Sequence, residues 1–204
     1  MLMRMLGSQL RRPRGLFGFV VGQGMALVNR PINYWTLELM GIQASDRVLE
    51  VGFGSGVALR RVAGIVTNGL AAGIDYSGVM VRQARLRNAD AVRRGRVALV
   101  HGDASALPYR DECFDKACAI QSIYFWPEPA SALAELRRVL KPGGLLAVSI
   151  MPKQDLRRWS FTLWNYRLYT GEEVVAMVES AGFDPVRLEK NRGLPRAICV
   201  LARK

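Results

Sequence analysis

Short apolar segments alternate along the chain with longer segments of helical periodicity. Five of the apolar segments are short and rich in β-branched residues, as in strands buried on both faces of a sheet. They are Val48 to Val51, Leu70 to Ile74, Val97 to Val100, Lys116 to Ile120 and Leu145 to Ile150. Helical patterns follow three of them, at Val57 to Ile65, Gly78 to Arg94 and Glu128 to Val139. The alternation predicts an α/β fold with a doubly wound, Rossmann-like parallel sheet.

Further elements are predicted before and after the fifth strand, Leu145 to Ile150. Thr170 and Glu173 have the spacing of a capping box, which predicts a helix from about Glu172 to Ala181 that ends at Gly182. Lys141-Pro142-Gly143-Gly144, just before that strand, is typical of a helix stop followed by a turn. Two more strands are predicted near Val186 to Glu189 and Ala197 to Ala202.

The chain carries no internal repeat, low-complexity tract or long linker, so we expect one domain over residues 1–204. Leu16 to Arg30 and Ile32 to Met40 predict two helices ahead of the first strand, outside the sheet. We assign residues 1–46 to an N-terminal helical lid and residues 47–204 to the α/β core.

The apolar stretch from Leu16 to Val28 is too short and too often interrupted by glycine to predict a membrane-spanning helix. The arginines before it resemble the start of a signal peptide, but no small-residue cleavage site follows. We therefore expect a cytoplasmic protein. Arg11, Arg12 and Arg14 beside apolar positions also suggest peripheral contact with an anionic membrane; those positions are Leu16, Phe17, Phe19, Val20 and Val21.

Composition narrows the possible chemistry. The content of 50% apolar and 23% charged residues is that of a globular protein. Three cysteines without CxxC pairing and a single histidine, His101, predict neither a disulfide framework nor a metal site. The net charge of +12 is compatible with a polyanionic partner such as nucleic acid or a membrane, and equally with a solvated basic surface.

Glycine occupies alternate positions where the first strand runs into a helix, in Val48-Leu49-Glu50-Val51-Gly52-Phe53-Gly54-Ser55-Gly56. Glycine lets the backbone turn sharply and lets a ligand approach the main chain, and the following helix offers free N–H groups. The second strand ends before Asp75, Tyr76 and Ser77, where a carboxylate would meet the hydroxyls of a ribose. Turn and acid together predict a nucleoside site at the carboxyl ends of parallel strands.

The glycine spacing discriminates between nucleoside ligands. A dinucleotide fingerprint requires G-x-G-x-x-G, but Val57 stands at the third glycine position and Gly56 precedes it. The spacing therefore disfavours NAD.

From this turn onward the chain resembles the class I S-adenosylmethionine-dependent methyltransferases of small molecules and lipids, similar to ubiquinone/menaquinone and phospholipid methyltransferases. Their first motif, an acid followed by G-x-G-x-G, is matched by Glu50, Gly52, Gly54 and Gly56. Later matches, within residues 48–150, are Asp75, Gly102-Asp103-Ala104 ahead of Leu107-Pro108, Phe114-Asp115, and Leu140-Lys141-Pro142-Gly143-Gly144. The resemblance implies a seven-stranded sheet, mostly parallel, with an antiparallel last strand.

The resemblance further implies S-adenosyl-L-methionine as cofactor and S-adenosyl-L-homocysteine as product. The matching cofactor-binding positions are Glu50, Gly52, Gly54, Gly56, Asp75, Tyr76, Ser77, Asp103, Ala104, Gln121 and Ser122. Asp75 would bind the ribose, Asp103 and Ala104 the adenine, and Gln121 and Ser122 would lie beside the methionine portion. Simpler readings exist: Gly54 as an ordinary tight turn, Asp75 as a helix N-cap, which Ser77 fills better, and Asp103 as a turn cap.

Aromatic residues mark the expected acceptor pocket, with Tyr34, Trp35, Tyr124, Trp126 and Trp159 as candidates. Strand ends open into the ligand crevice, and aromatic faces bind cations. The alternative is that Tyr124, Phe125 and Trp126 pack the following helix. A second aromatic and basic stretch, from Arg157 to Tyr166, would close the other side. In-line methyl transfer relies on positioning, and Tyr124 and Tyr34 are the candidates for a catalytic group, without a clear base.

Three functions stay open on the sequence. The first is methyl transfer to a small-molecule or lipid acceptor. The second is methylation of nucleic acid, suggested by the net charge, although Gln121-Ser122-Ile123-Tyr124 lacks the prolines of the [ND]-P-P-[YFW] motif that is common in enzymes acting on base amino groups. The third is a non-catalytic module that only binds S-adenosylmethionine.

Overall fold

The structure, a computed structural model, describes residues 15–158, 162, 166–193 and 195–204, without the side chains of residues 15–19 and 21–22. Its strands are β1 (Arg47–Val51), β2 (Leu70–Asp75), β3 (Val97–His101), β4 (Phe114–Ile120), β5 (Leu140–Ile150), β6 (Val186–Lys190) and β7 (Ile198–Arg203). Its helices are α1 (Gly15–Val28), α2 (Arg30–Met40), α3 (Val57–Ile65), α4 (Gly78–Arg87), α5 (Ala89–Arg93), α6 (Pro129–Val139), α7 (Lys153–Leu156) and α8 (Gly171–Ser180). Within the described ranges, every helix falls short of the length and apolarity that crossing a bilayer requires.

The strands form one sheet in the order β3-β2-β1-β4-β5-β7-β6. Strand β1 pairs in parallel with both β2 and β4, and the parallel pairing continues to β3 on one side and β5 on the other. Strand β7 runs antiparallel to β5 and β6. The seven-stranded, mostly parallel sheet with a reversed last strand is therefore confirmed.

Helices cover both faces of the sheet because successive strand residues point to opposite sides. Leu49 joins one core with α6 and α8, whereas its neighbour Val48 joins the other core with α2, α3 and α4. Strand β1 is buried from Val48 to Val51, as its apolar sequence predicts. The doubly wound arrangement is confirmed.

Two boundaries differ from the sequence-based prediction. The helix predicted over residues 78–94 divides at Asn88, whose side-chain amide donates to the carbonyls of Ala84 and Gly56 and so replaces a regular continuation. The turn predicted at Lys141 to Gly144 lies inside β5. There the register slips, because Leu140 pairs with Phe114 and Leu145 pairs with Lys116, leaving an irregular loop within the strand.

Helix α2 belongs to the helical layer of the sheet. Ile32, Thr36, Leu37 and Met40 are buried, and the Thr36 hydroxyl lies 2.6 Å from that of Ser149 on β5. The Thr36 hydroxyl also donates to the carbonyl of Ile32, and its contact with Ser149 ties α2 to β5. Helix α1 packs on α2 and α4. The role of α1 and α2 as a lid stays a prediction.

The chain changes direction across the sheet at β1. It runs from β1 to β2 and β3 on one side and then returns to β4 on the other side. Between β1 and β4 the connections therefore diverge at the carboxyl ends of the strands, which is where open α/β sheets form a ligand crevice. The glycine-rich turn after β1 lies at this point.

Candidate functional site

The turn between β1 and α3 contains three glycines in the left-handed region. The φ angles are +76° at Gly52, +53° at Gly54 and +76° at Gly56, a conformation that costs other residues about 1 to 2 kcal/mol each. The Gly52 N–H donates to the carbonyl of Ile74 at 2.8 Å, and the Gly56 N–H donates to that of Phe53 at 2.9 Å. The first bond extends the pairing with β2, and the second closes a tight turn from Phe53 to Gly56 just before the helix begins.

The three glycines have different surroundings. A Cβ at Gly52 would lie 2.4 Å from the Cβ of Ser122, and one at Gly56 would lie 2.7 Å from the Cβ of Ala84, so packing alone requires glycine at both positions. A Cβ at Gly54 would meet no heavy atom within 4 Å. Gly54 therefore presents bare main chain to open space, as a backbone that a ligand contacts must do.

Phe53 fixes the turn by packing its side chain into the core beside β2. Its side chain is buried, and a Cβ at Gly73 on β2 would lie only 2.5 Å from its ring. The apolar residue between two glycines thus fills a space that glycine on the neighbouring strand leaves. Sequence reasoning missed this contact, although a large apolar residue inside a glycine-rich turn is itself a signal of anchoring.

Two residues at the carboxyl end of α4 donate hydrogen bonds to the turn. Arg87 donates to the carbonyl of Ser55 at 2.6 Å, and the Asn88 amide donates to the carbonyl of Gly56 at 3.1 Å. Both carbonyls thus accept hydrogen bonds from side chains of another segment while the turn keeps its shape. Sequence reasoning missed both residues, because more than thirty positions separate them from their partners and no local pattern marks them.

Asp75 joins the turn to the end of β2. One of its carboxylate oxygens accepts the Gly54 N–H and the other accepts the Ser77 N–H, each at 2.8 Å. Ser77 in turn accepts the Met80 N–H and is the N-cap of α4, which confirms it as the better cap. Burial raises the pKa of Asp75 to about 6, against the opposing effect of its N–H donors and of His101. The structure brings Asp75, Ser77 and Gly54 together as expected.

Glu50 is a buried carboxyl beneath the turn. Burial, and then the nearby charge of Asp75, raise the pKa of Glu50 from 4.5 to about 8, while a hydrogen bond from the Leu59 N–H lowers it. Its Oε2 has no hydrogen-bond partner among the described residues. A buried polar atom without a partner is costly and typical of a binding or catalytic position.

Gln121 and Ser122 reach the same place from the end of β4. Gln121 has a φ of +57°, which is strained for a residue other than glycine, and within the described part of the chain its buried Nε2 lacks a hydrogen-bond acceptor. The Ser122 hydroxyl donates to the carbonyl of Val51 at 2.7 Å and packs on Gly52. Both residues therefore border the turn, and their contact with the methionine portion of the cofactor stays a prediction.

Tyr124 is held by hydrogen bonds on both sides of its hydroxyl. The hydroxyl accepts the Met151 N–H at 2.6 Å and donates to Gln121 Oε1 at 3.2 Å, and burial raises the pKa of Tyr124 far above 10. A phenol that ionises so reluctantly is a poor proton acceptor at neutral pH. The arrangement disfavours Tyr124 as a base and gives it a positioning role toward Gln121.

The aromatic residues after β4 pack mainly into the core. Tyr124 and Trp126 are buried in the cluster that contains Leu133 of α6, which favours their reading as packing residues. Tyr166 continues this aromatic group, with its ring centroid 4.6 Å from that of Phe125. Trp159, Phe161 and Trp164, also expected near the acceptor, lie outside the described residues.

The remaining predicted site residues lie around the rim. Asp103 accepts the N–H and the hydroxyl of Ser105, so it caps its own turn, and Ala104 packs against the core. Tyr76 is exposed, and its carbonyl lies 3.0 Å from His101 Nε2.

The two residues from α2 lie on its packed side. Trp35 is half-buried against the core of the α2, α3 and α4 face. The Tyr34 ring is contacted by the guanidinium groups of Arg30 and Arg61, at 5.3 and 5.6 Å from its centroid. These contacts give Tyr34 a cation–π role between α2 and α3 and offer no support for catalysis.

The residues present fit an adenosyl ligand with an amino-acid portion. Gly54 offers uncovered main chain, Asp75 offers carboxylate oxygens beside it, and α3 begins at Gly56 without a side-chain cap. The buried Glu50 Oε2 and Gln121 Nε2, which have no hydrogen-bond partner among the described residues, add two polar groups beside the turn. These groups match the sugar hydroxyls and the charged ends of such a ligand.

Known proteins resemble this chain in sequence. Residues 49–148 match the family model described as "Methyltransferase domain". The chain is 35% identical over 187 residues to the ubiquinone/menaquinone biosynthesis C-methyltransferase UbiE of Ectopseudomonas mendocina, covering 78% of this chain and 73% of UbiE. It is 27% identical over 190 residues to YdaC of Bacillus subtilis, described as an uncharacterized methyltransferase, covering 91% of this chain and 98% of YdaC.

The fold is also found in solved structures. A SAM-dependent methyltransferase from Aquifex aeolicus has a TM-score of 0.71 to this chain at 24% identity, covering 84% of this chain and 88% of the other. At that identity the similarity concerns the fold, and it agrees with the sheet order described above.

The first prediction concerns the buried carboxyl of Glu50. Because the pKa of Glu50 is about 8 in the folded state and 4.5 for an ordinary glutamate, the folded state retains the proton to higher pH, and the free energy of unfolding falls as pH rises between these values. Gln cannot ionise. The stability of Glu50→Gln relative to wild type should therefore rise by about 1 to 3 kcal/mol between pH 5 and pH 8 in urea unfolding. Glu179→Gln, an exposed exchange, is the control; a flat difference for Glu50→Gln would contradict the buried assignment.

The second prediction separates strain from ligand contact at Gly54. Gly54 and Gly41 have φ angles of +53° and +55°, and a Cβ at either meets nothing within 4 Å. Alanine at each position should cost about 1 kcal/mol of stability. Only Gly54→Ala should weaken S-adenosylmethionine binding, by about tenfold or more in calorimetry, because its methyl group occupies the ligand-facing side of the turn. Equal affinity in the two variants would exclude Gly54 from the ligand site.

Proposed function

The chain belongs to the class I S-adenosylmethionine-dependent methyltransferases, and from that premise we propose that it methylates a small apolar acceptor with a quinone-like ring. S-adenosyl-L-methionine is the cofactor and S-adenosyl-L-homocysteine the product. The acceptor class is supported by the 35% identity to UbiE, whose name places it in ubiquinone and menaquinone biosynthesis. We propose the cytoplasm as the compartment, since the three cysteines are free thiols.

One observation carries the proposal. The open face of Gly54 lies where the Asp75 carboxylate reaches the turn, while the other two glycines are closed by packing. A positive φ by itself also favours glycine, as it does at Gly41. Gly54 differs because its N–H is held by the Asp75 carboxylate at the ends of parallel strands, where a ligand can contact main chain and carboxylate together.

The bound cofactor supplies an electrophilic methyl group on a sulfonium centre. The residues of this chain supply position: Asp75 accepts from sugar hydroxyls, the Gln121 amide donates from Nε2, and Tyr124 holds the amide through Oε1. Positioning of this kind can account for most of the acceleration in an in-line displacement. A hydroxylated ring is an activated nucleophile, which suits a site where Tyr124 is a poor base.

The nucleic-acid alternative rests on the net charge of +12. That charge favours any polyanion and therefore does not specify nucleic acid as the methyl acceptor. It is tested alongside the acceptor below.

The third prediction concerns Asp75. Asp75→Ala should weaken S-adenosylmethionine binding by about 1 to 3 kcal/mol at pH 7.5 in calorimetry, because it removes a hydrogen-bonding partner from a largely enclosed site. The pKa of Asp75 is about 6, so at pH 5 the wild-type carboxyl is mostly protonated and the difference should shrink. Asp90→Ala, which removes an exposed carboxylate paired with Arg93, is the control. Unchanged affinity in Asp75→Ala would remove Asp75 from the site.

The fourth prediction concerns the acceptor. Purified protein with methyl-labelled S-adenosylmethionine should label the organic-phase fraction of a cell extract. When a demethylated hydroquinone is added as pure acceptor, the rate of labelling should reach a plateau as the acceptor concentration rises. Gly54→Ala should lose this label, and Gly41→Ala should keep it. Label confined to the nucleic-acid fraction, at a rate that falls steeply with salt, would replace the proposed acceptor with RNA or DNA.

A further inference from the structure

One side of the molecule carries an apolar stripe on α1. Val20, Leu27 and Val28 are 61%, 73% and 62% exposed, and Gly24 is also exposed, with nothing within 4 Å of a Cβ built there. The spacing of these four positions places them within about a quarter of the circumference of the helix. Leu86 on α4, which packs beside α1, is 72% exposed. Large aliphatic side chains so exposed, and on adjoining helices, are typical of an interaction surface.

The helices on this side are strongly basic. Helices α1 to α4 contain six arginines and one acid, Glu38. Helices α6 and α8, on the opposite face of the sheet, contain four acids and two arginines. Helices α1 to α4 therefore carry a net charge of +5 and helices α6 and α8 a net charge of −2, so the apolar stripe lies on the more basic of the two helical faces.

Most of these arginines form no ion pair with the residues that the structure describes. Within the described part of the chain, the ion pairs leave out Arg30, Arg60, Arg61, Arg82 and Arg85, all of which are exposed. Arg87, nearer the turn, has its pKa lowered by burial and then by the positive charge of Arg60. Uncompensated charges that repel one another favour an anionic partner.

We propose that the α1–α4 face, defined by Val20, Leu27, Val28, Leu86, Arg82 and Arg85, binds an anionic lipid bilayer. Aliphatic side chains enter the boundary between head groups and acyl chains, while arginines remain with the phosphates. A nucleic acid fits this face less well, because a phosphate backbone offers no place for an aliphatic stripe and single strands are bound through aromatic stacking. A second copy of the chain fits less well too, because a symmetric contact would bring two arginine-rich faces together.

The docking face is physically connected to the cofactor site. Gln23 on α1 accepts a hydrogen bond from Arg87, and Arg87 also donates to the carbonyl of Ser55 in the glycine-rich turn. A bilayer in contact with α1 therefore lies close to the edge of the sheet at which the site opens. This inference goes beyond the proposed function, since lipid binding by this face requires neither the cofactor nor an acceptor.

The fifth prediction tests the face by vesicle co-sedimentation without cofactor. Wild type should bind vesicles of phosphatidylcholine and phosphatidylglycerol in equal amounts, and should not bind pure phosphatidylcholine. Arg82→Glu/Arg85→Glu should lower the partition coefficient by at least about tenfold, since each arginine near an anionic surface contributes about fivefold. Leu27→Gln/Leu86→Gln, which leaves the charge unchanged, should lower it by about tenfold because apolar burial is lost.

The control matches the charge change on another surface. Arg187→Glu/Lys190→Glu alters the net charge equally on β6, where both residues are exposed, and should bind vesicles as wild type does. The assay contains neither cofactor nor acceptor, so failure of the methyltransferase proposal leaves this result intact. Equal loss in both charge variants, or no loss in the leucine variant, would overturn the proposal. A wild-type dimer in analytical ultracentrifugation that the leucine variant lacks would assign the stripe to self-association instead.

Discussion

The site depends on one carboxylate that serves two turns. Asp75 accepts the Gly54 N–H with one oxygen and the Ser77 N–H with the other, so it joins the turn after β1 to the beginning of α4. The adjacent parallel strands bring these segments side by side, and the carboxylate sets their separation. Because each N–H has an acceptor, the turn keeps its shape without a side chain at Gly54. The ligand face is therefore formed before a ligand binds.

This arrangement is maintained at some cost to stability. Gln121 has a positive φ angle, and among the described residues the buried Glu50 Oε2 and Gln121 Nε2 have no hydrogen-bond partner. Such features destabilise a fold unless packing compensates. Here Phe53 below the turn and Asn88 beside it supply packing and hydrogen bonds. This strain lies beside the glycine-rich turn, where we propose that the cofactor binds, as is usual for functional sites.

The two faces of the sheet carry helices of opposite net charge. One face carries α6 and α8 with an acidic excess, and the other carries α1 to α4 with a large basic excess. The glycine-rich turn feeds directly into α3 on the basic side, and Arg87 connects it to α1. We propose that this difference in charge orients the molecule on an anionic surface. The proposed cofactor site, in contrast, is built from backbone and carboxylates.

Local pattern determined the fold class, the strand and helix order, the capping box at Thr170 and the cap at Ser77, because periodicity and capping depend on neighbours within a few residues. The motif from Glu50 to Gly56 also marked the cofactor site from sequence. Only the tertiary structure decided that Gly54 faces open space while Gly52 and Gly56 are closed by Ser122 and Ala84. It alone placed Tyr124 in the core and brought Arg87 to the turn. Contacts between residues distant in the chain depend on how strands and helices pack, and no local sequence pattern records that packing.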